Sequence, residues 1–214
     1  MKKKALILAN GSPPSRNLLT RFLKDIDLFI CADGGANTAA RFGLTPDLII
    51  GDLDSITPNT RRKLSRVQTK RIVSQNSTDL EKAISWAARN SVSEVIVLAA
   101  TGKRLDHAIG NLSALAKFSR KLNVRFVDDE SELLYVGRSF RSEFNVGTVV
   151  SLIPLSGCRG IVTKGLKWEL RNESLMLGRR ESTSNVVKWS PVRIKVRNGD
   201  LLLYVVNRPA STAH

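Results

Sequence analysis

The sequence has 214 residues, of which 42 % are hydrophobic and 25 % are charged. This composition supports a buried core and excludes a wholly disordered chain. No uninterrupted apolar run is longer than Val95–Ala100, which is far shorter than the ~20 residues of a membrane span, so we expect no membrane partner.

The charge of the chain is strongly basic and unevenly spread. Lys and Arg number 34 against 19 Asp and Glu, a formal net charge of +15. Such a surface attracts polyanions, although a basic bias of the whole proteome is an equally good explanation. Residues 33–54 nevertheless contain four acidic residues and one basic residue, a net charge of −3, whereas residues 159–214 carry eleven basic and four acidic residues, net +7.

Up to about residue 130, short apolar runs alternate with segments of helical periodicity. This alternation predicts an α/β domain, residues 1–130, with a mainly parallel sheet covered by helices. The predicted strands are Ala5–Ala9, Leu28–Ala32, Leu48–Ile50, Val67–Val73, Val95–Ala100 and Val124–Val127, and the predicted helices are Arg16–Lys24, Gly34–Phe42, Pro58–Arg66, Thr78–Asn90 and Leu105–Leu122.

The remainder, residues 131–214, has short alternating segments punctuated by glycine. This rhythm predicts a smaller antiparallel β domain. Its predicted strands are Leu133–Val136, Ser139–Phe144, Val149–Pro154, Ile161–Lys164, Leu166–Leu170, Ser174–Leu177, Val192–Arg197 and Leu201–Val206. The Asn198-Gly199 pair between the last two predicts a hairpin.

Two cysteines, Cys31 and Cys158, stand in apolar surroundings and form no CxxC motif. We expect buried thiols in a reducing cytoplasm, and no zinc site.

Acidic residues follow four successive strands of the predicted sheet. The carboxyl ends of parallel strands meet at one edge, where ligands of open α/β sheets bind. The residues delivered to this edge are Asp33, Asp52, Asp54, Asp79 and Asp106. Taken singly, Asp33 and Asp79 are typical of helix caps or turns.

Asp52 and Asp54 are harder to explain as turn residues. Two carboxylates at i and i+2 repel each other unless a cation lies between them, and hard oxygen ligands favour Mg²⁺. Lys82 and Arg104 lie where they can neutralise phosphate. Gly34-Gly35 allows close backbone approach, but the sequence has neither a Walker A motif nor GxGxxG.

Six motifs in this order resemble those of the thiamine pyrophosphokinase family. They are Ala32-Asp33-Gly34-Gly35-Ala36-Asn37, Pro46-Asp47 with Gly51-Asp52-Leu53-Asp54-Ser55, Ser77-Thr78-Asp79-Leu80-Glu81-Lys82, Thr101-Gly102-Lys103-Arg104-Leu105-Asp106-His107, Gly165-Leu166-Lys167-Trp168-Glu169-Leu170 and Ser182-Thr183-Ser184-Asn185. The resemblance implies that the second domain is a β-sandwich used for thiamine binding and dimerisation, that the enzyme is a homodimer, and that it transfers diphosphate from ATP to thiamine with Mg²⁺, releasing AMP.

The resemblance also implies roles for individual residues. Asp52, Asp54 and Asp79 are expected to hold the metal, and Lys82 and Arg104 to serve with them in catalysis. A nucleotide and phosphate site is expected from Asp33, Asn37, Gln75, Arg104 and Asp106. Trp168, Ser184 and Asn185 are expected to face thiamine, although the alternation of Leu166, Trp168 and Leu170 by itself favours a core position for Trp168.

Two residues depart from a simple transfer of these roles. Asn76 stands where many relatives carry Asp, which leaves the number of carboxylates around the metal open. His107 adjoins the Arg-Leu-Asp motif, and a position on the helix surface is favoured over a role as general base.

Two other functions compete with the kinase hypothesis. A basic nucleic-acid-binding protein explains the charge but not the acids at the strand ends, and with 6 % aromatic residues a base-stacking sheet is not expected. We therefore expect no specific nucleic-acid partner. Another Mg²⁺-dependent phosphotransferase of the same fold explains the acids, but not the motifs of the second domain.

Overall fold

The computed structural model describes residues 3–74 and 76–207. The chain divides into two units, residues 1–129 and residues 130–214. No helix within the described ranges is long and apolar enough to cross a membrane.

Strands and helices alternate strictly through the N-terminal unit. They are β1 (Lys3–Leu8), α1 (Arg16–Leu23), β2 (Leu28–Ala32), α2 (Gly35–Arg41), β3 (Leu48–Gly51), α3 (Pro58–Lys63), β4 (Gln68–Arg71), α4 (Asp79–Arg89), β5 (Val92–Leu98), α5 (Leu105–Ser119) and β6 (Asn123–Val127). The strands pair in the order β6-β5-β1-β2-β3-β4, and every pairing is parallel. The predicted α/β fold is confirmed.

The core of this unit consists of the central strands and the helices packed on them. Leu6 and Leu8 of β1 and Leu98 of β5 are fully buried, together with Leu19 of α1. Central strands are buried on both faces of a parallel sheet, so their sequences are continuously apolar. By contrast, all four side chains of β4 are exposed, because it is an edge strand that pairs only with β3.

Helix starts were predicted more accurately than helix ends. Thr57 caps α3, where its Oγ1 accepts a hydrogen bond from the Thr60 backbone at 3.2 Å. Thr78 and Glu81 form a reciprocal capping box at the start of α4. Helix α3 nevertheless ends at Lys63, three residues before the predicted Arg66.

The regular elements of the C-terminal unit, as far as residue 207, are all strands. They are β7 (Ser131–Tyr135), β8 (Ser139–Ser142), β9 (Val149–Pro154), β10 (Cys158–Lys164), β11 (Arg171–Leu175), β12 (Ser182–Val186), β13 (Val192–Lys195) and β14 (Leu201–Val206). One antiparallel group runs β12-β9-β14-β7, and a second antiparallel sheet runs β11-β10-β13-β8. Inward-facing residues of both enclose one core that includes Leu152, Ile161, Ile194 and Leu203, as in a β-sandwich.

The predicted hairpin at Asn198-Gly199 is wrong. Strand β13 pairs with β10 and β8, whereas β14 pairs with β7 and β9, so the turn carries the chain from one sheet to the other. Gly199 has φ +99°, and a Cβ there would lie 2.7 Å from the Cα of Cys158. The glycine therefore serves close packing at the edge of the sandwich.

The predicted strand Leu166–Leu170 is also wrong, because this segment is a loop. Leu166 and Leu170 are buried, but Trp168 between them is 56 % exposed. The predicted strand Ser174–Leu177 is displaced as well, since β11 ends at Leu175 and Leu177 lies in the turn that follows. Strand β12 was not predicted, because Ser182–Val186 has no apolar alternation.

Both cysteines are buried free thiols, as predicted. Burial raises the pKa of Cys31 above its ordinary range and that of Cys158 to about 11.

Candidate active site

The position of β1 and β5 determines where a ligand can enter the N-terminal unit. The chain builds the sheet outward from β1 through β2, β3 and β4, and then returns to place β5 on the other side of β1. The loops after β1 and β5 therefore diverge at the topological switch point, where open α/β sheets bind ligands. A cleft of about 490 Å³ lies there, bordered by Asn10, Asp33, Asp52, Ser77, Asp79, Lys82, Lys103, Arg104, His107 and Asn111.

Gly51 makes room for two carboxylates at the end of β3. A Cβ at this position would lie 2.8 Å from the Cβ of Asp33 and 3.1 Å from Oδ1 of Asp79. Any larger residue would push these side chains apart. Asp33 itself follows β2 with φ +42°, a conformation that is uncommon for residues other than glycine and that Asp, Asn and His adopt more often than the rest.

Asp33, Asp52 and Asp54 form a group that fits a divalent cation. Each offers a carboxylate oxygen, and these three oxygens lie within 4.8 Å of one another. Asp33 Oδ1 is buried and has no hydrogen-bond partner among the described residues. Burial raises the pKa of Asp33, and the nearby negative charges of Asp79 and Asp52 raise it further.

Asp79 lies outside that group and is engaged by Lys82. The Lys82 Nζ donates to Asp79 Oδ1 at 2.8 Å, across one turn at the start of α4. The Lys82 side chain is only 5 % exposed. A buried ammonium held by a single carboxylate places a fixed positive charge in the wall of the cleft.

Arg104 and Asp106 pair with each other at the mouth of the cleft. Arg104 Nε and Nη2 donate to the two oxygens of Asp106 at 3.1 and 2.5 Å. This pairing lowers the pKa of Asp106 to about 2 and raises that of Arg104. Arg104 borders the cleft, whereas Asp106 does not. In this arrangement, Asp106 positions Arg104.

Asn37 supports the loop after β3. Its Nδ2 donates to the Ser55 carbonyl at 2.8 Å, and its Oδ1 accepts from the Thr57 backbone at 3.1 Å. Both ends of the amide therefore hold the segment that follows Asp54. Gln75, predicted at the nucleotide site, lies outside the described residues.

Sequence reasoning missed the contribution of the loop after β1. Asn10 borders the cleft, and its Oδ1 accepts a hydrogen bond from Lys103 Nζ at 3.1 Å. Gly11 packs so tightly that a Cβ would lie 2.1 Å from the Thr101 carbonyl oxygen. The available signal was Asn10-Gly11 at the end of a central apolar strand. His107 borders the cleft from the exposed face of α5, close to the predicted helix-surface position.

A second pocket, of about 740 Å³, lies in the C-terminal unit. It is lined by the loop Gly165–Leu170 from Leu166 onward, by Ser182 and Thr183 of β12, and by Trp189, which was not predicted. Trp168 and Trp189 are 56 % and 48 % exposed, so both indole rings are available to a ligand. The Lys167 ammonium lies 4.5 Å from the centroid of the Trp168 ring.

Asn185 holds the Trp168 loop in place. Its Oδ1 accepts from the Trp168 backbone at 3.1 Å and from the Val186 backbone at 2.8 Å, and its Nδ2 donates to the Trp168 carbonyl at 2.7 Å. A bulge before it, with Ser184 at φ +56°, turns Asn185 inward to 2 % exposure. Asn185 lines the pocket and also positions Trp168. Ser184 is exposed, but it does not line the pocket.

Comparison with known families gives two matches. The family model for the thiamin pyrophosphokinase catalytic domain matches residues 19–127, and that for the thiamin pyrophosphokinase vitamin B1 binding domain matches residues 139–201. The first match contains the acidic cleft apart from the loop after β1, and the second contains the Trp168 pocket.

Relatives matched along most of their length belong to the same family. Thiamine pyrophosphokinase 1 of Oryza sativa subsp. japonica is 33 % identical over 199 residues, which cover 78 % of this chain and 74 % of the relative. Thiamine pyrophosphokinase of Bacillus subtilis (strain 168) is 27 % identical, covering 94 % of this chain and 97 % of the relative.

Solved structures show the same fold. The crystal structure of thiamine pyrophosphokinase from Bacillus subtilis superposes with a TM-score of 0.84 at 24 % identity, covering 97 % of this chain and 100 % of that chain. Thiamin pyrophosphokinase from Candida albicans gives a TM-score of 0.84 at 18 % identity, covering 96 % of this chain and 89 % of that chain.

Proposed function

The chain belongs to the thiamin pyrophosphokinase family, and we propose that it transfers the β,γ-diphosphate of ATP to the hydroxyethyl oxygen of thiamine, with Mg²⁺. The products are thiamine diphosphate and AMP. One observation carries the proposal: an acidic cleft with a fixed lysine lies in the unit matched as catalytic, and an open aromatic pocket lies in the unit matched as vitamin-binding.

The carboxylate group of Asp33, Asp52 and Asp54 fits Mg²⁺. Its carboxylates are hard oxygen ligands, they are close together, and no donor in the described part of the chain reaches the buried Asp33 Oδ1. We assign Asp52 and Asp54 to the metal, with Asp33 as the third carboxylate. The predicted role of Asp79 as a ligand stays a prediction, because its Oδ1 is engaged by Lys82. When bound, Mg²⁺ supplies positive charge that neutralises phosphate oxygens.

The protein's own residues position the reactants. The hydroxyl oxygen of thiamine attacks the β-phosphorus, a new P–O bond forms, and the bond from the β-phosphorus to the bridging oxygen of AMP breaks. Lys82 and Arg104 offer positive charge to the phosphates, which is where most of the catalysis of such transfers lies. The hydroxyl proton leaves to solvent or to a carboxylate of the cleft.

Thiamine is a cation with two flat rings, and the exposed indole of Trp168 offers a surface for stacking. Lys167 lies over this ring in the ligand-free chain, so it must move if thiamine takes the same face. Dimerisation through the second unit and a cytoplasmic location complete the proposal. They rest on the family resemblance and on the two free thiols.

Product identity tests the reaction. Purified protein incubated with ATP, Mg²⁺ and thiamine is expected to yield AMP and thiamine diphosphate in a one-to-one ratio, quantified by chromatography. Formation of ADP with accumulating thiamine monophosphate would assign the chain to stepwise single phosphoryl transfer instead. A reaction without thiamine controls for ATP hydrolysis.

A further inference from the structure

One face of the sheet β11-β10-β13-β8 concentrates positive charge. Strands β8, β10 and β13 contain five basic residues and no acidic residue. Along β13, Arg193, Lys195 and the following Arg197 are exposed at alternate positions, while Val192, Ile194 and Val196 are buried. These cations therefore share the solvent side of the sheet.

The register places further cations beside this row. Arg193 is directly opposite Arg141 on β8 and directly opposite Lys164 on β10. Side chains in such positions lie about 4.5–5.5 Å apart at Cβ, and like charges there are destabilising. We call Arg141, Lys164, Arg193, Lys195 and Arg197 the basic sheet face.

Little within the described residues neutralises this face. Lys164 is 3.4 Å from Glu169, and Arg197 is hydrogen-bonded to the Asn172 side chain at 2.7 Å. Arg141, Arg193 and Lys195 have no ion pair or side-chain hydrogen bond within residues 3–74 and 76–207. Their spacing is shorter than the screening length of about 8 Å at physiological salt, so their potentials add.

We propose that the basic sheet face binds the phosphate backbone of nucleic acid without reading its sequence. Closely spaced cations on a rigid strand complement the regular charges of a phosphodiester chain. Phe140, the aromatic residue of β8, is half-buried and packs against the core, so bases have no platform on which to stack. Among the described residues, none of the large exposed apolar side chains lies on β8, β10 or β13, which disfavours a membrane surface as the partner.

The test measures binding of a fluorescein-labelled oligothymidylate of about 20 nucleotides by anisotropy, between about 50 and 200 mM salt. Five neutralised phosphates predict a slope of log K against log salt of about −3.5. The double variant Arg193→Gln/Lys195→Gln should flatten the slope by about 1.4, and Arg141→Gln by about 0.7. The charge-conserving Arg193→Lys/Lys195→Arg should bind normally.

Lys70→Gln/Arg71→Gln is the matched control, because it removes one Lys and one Arg from exposed positions of β4 in the other unit. It should keep the full slope. If both double variants lose the same amount of oligonucleotide affinity, net charge alone attracts the oligonucleotide and the proposal is overturned.

Two further outcomes would also overturn it. One is the absence of salt-dependent binding. The other is binding to phosphatidylcholine vesicles with about 30 % phosphatidylserine that is lost in Arg193→Gln/Lys195→Gln while oligonucleotide binding persists.

Thermal melting checks folding, and the double variant Arg193→Gln/Lys195→Gln should melt no lower than the unmodified protein because it removes opposed like charges. Its formation of thiamine diphosphate should be unchanged.

Discussion

Asp54 shows at the level of one residue why the carboxylate group that it forms with Asp33 and Asp52 calls for a cation. Its oxygen lies within 4.8 Å of oxygens of Asp33 and Asp52, and its Oδ1 accepts a hydrogen bond from the Ser55 hydroxyl at 2.9 Å. We expect Asp54→Asn, and likewise Asp52→Asn, to lower kcat about 10²-fold or more, because charge stabilisation in the transition state is lost. The melting temperature of the metal-free variants should not fall. Steady-state kinetics at saturating Mg²⁺ measure this.

Asp25→Asn, at an exposed position after α1, is the control for this prediction and should retain full activity. Near-normal rates in both Asp52→Asn and Asp54→Asn would remove these residues from the metal site.

The roles of Asp33 and Asp79 are distinguished by a different measurement, the Mg²⁺ concentration that the enzyme requires. Asp33→Asn should raise the Mg²⁺ concentration needed for half-maximal activity, since Asp33 belongs to the carboxylate group. Asp79→Asn should leave this requirement unchanged but lower kcat and the melting temperature, because buried Lys82 loses its partner. The opposite result, an altered Mg²⁺ requirement only in Asp79→Asn, would restore the ligand set that the family resemblance implies.

Trp168 is the residue for which pattern and structure disagree most. Alternation favoured a core position, but the ring is 56 % exposed in the second pocket. Stacking and cation–π contact contribute about 1–2 kcal/mol. We expect Trp168→Ala to raise the KM for thiamine about ten- to thirty-fold, to leave the KM for ATP nearly unchanged, and to melt normally.

Trp168→Phe should keep most of the affinity for thiamine. Equal losses for both substrates in Trp168→Ala would contradict a specific contact with thiamine.

At the level of elements, the loop Gly165–Leu170 depends on one buried amide. Asn185 makes three hydrogen bonds, two of them to the backbone of Trp168. We expect Asn185→Ala to destabilise the protein by about 1–3 kcal/mol, because buried donors and acceptors are left unpaired. It should also raise the KM for thiamine through the displaced Trp168.

A double-mutant cycle distinguishes positioning from direct contact. Asn185→Ala combined with Trp168→Ala should raise this KM no further than Trp168→Ala alone. Additive effects would indicate that Asn185 contacts thiamine itself. Asn145→Ala, at an exposed position in the same unit, should change neither KM nor stability.

Elements were predictable from the sequence where local signals agreed with burial. Strands such as Leu28–Ala32 are apolar throughout because both faces are covered, and Thr78 with Glu81 marked the start of α4. The acids at the strand ends followed from parallel topology. The engagement of Asp79 by Lys82 could not be predicted in this way, because it depends on side-chain directions at the start of α4.

Local patterns failed where long-range contacts decide the structure. Asn198-Gly199 has the composition of a hairpin turn, but the two strands beside it join different sheets of the sandwich. The alternation of Leu166, Trp168 and Leu170 resembled a strand, but the side chain of Asn185, distant in sequence, holds the segment as a loop.

At the level of the whole molecule, the acidic cleft and the Trp168 pocket lie in different units, and one chain need not supply both to the same reaction. The family resemblance implies a homodimer in which the partner completes the thiamine site. If the cleft of one subunit works with the pocket of the other, a mixed dimer of Asp54→Asn and Trp168→Ala subunits contains one site with both defects and one intact site. Random mixing should therefore restore about a quarter of the unmodified activity, since half of the dimers are mixed.

Subunit exchange between the inactive Asp54→Asn protein and the Trp168→Ala protein, assayed at low thiamine, tests this shared site. Each variant alone should be nearly inactive under that condition, so activity that rises on mixing must come from mixed dimers. Mixing Asp54→Asn with Asp52→Asn is the control. It should restore no activity, because both substitutions damage the carboxylate group and every active site of a mixed dimer then contains a damaged group. Mass spectrometry verifies that the subunits have exchanged. If the mixture of Asp54→Asn and Trp168→Ala then regains no activity, the cleft and the pocket of the same chain work together. A fully active monomer in analytical ultracentrifugation would exclude the dimer as a requirement.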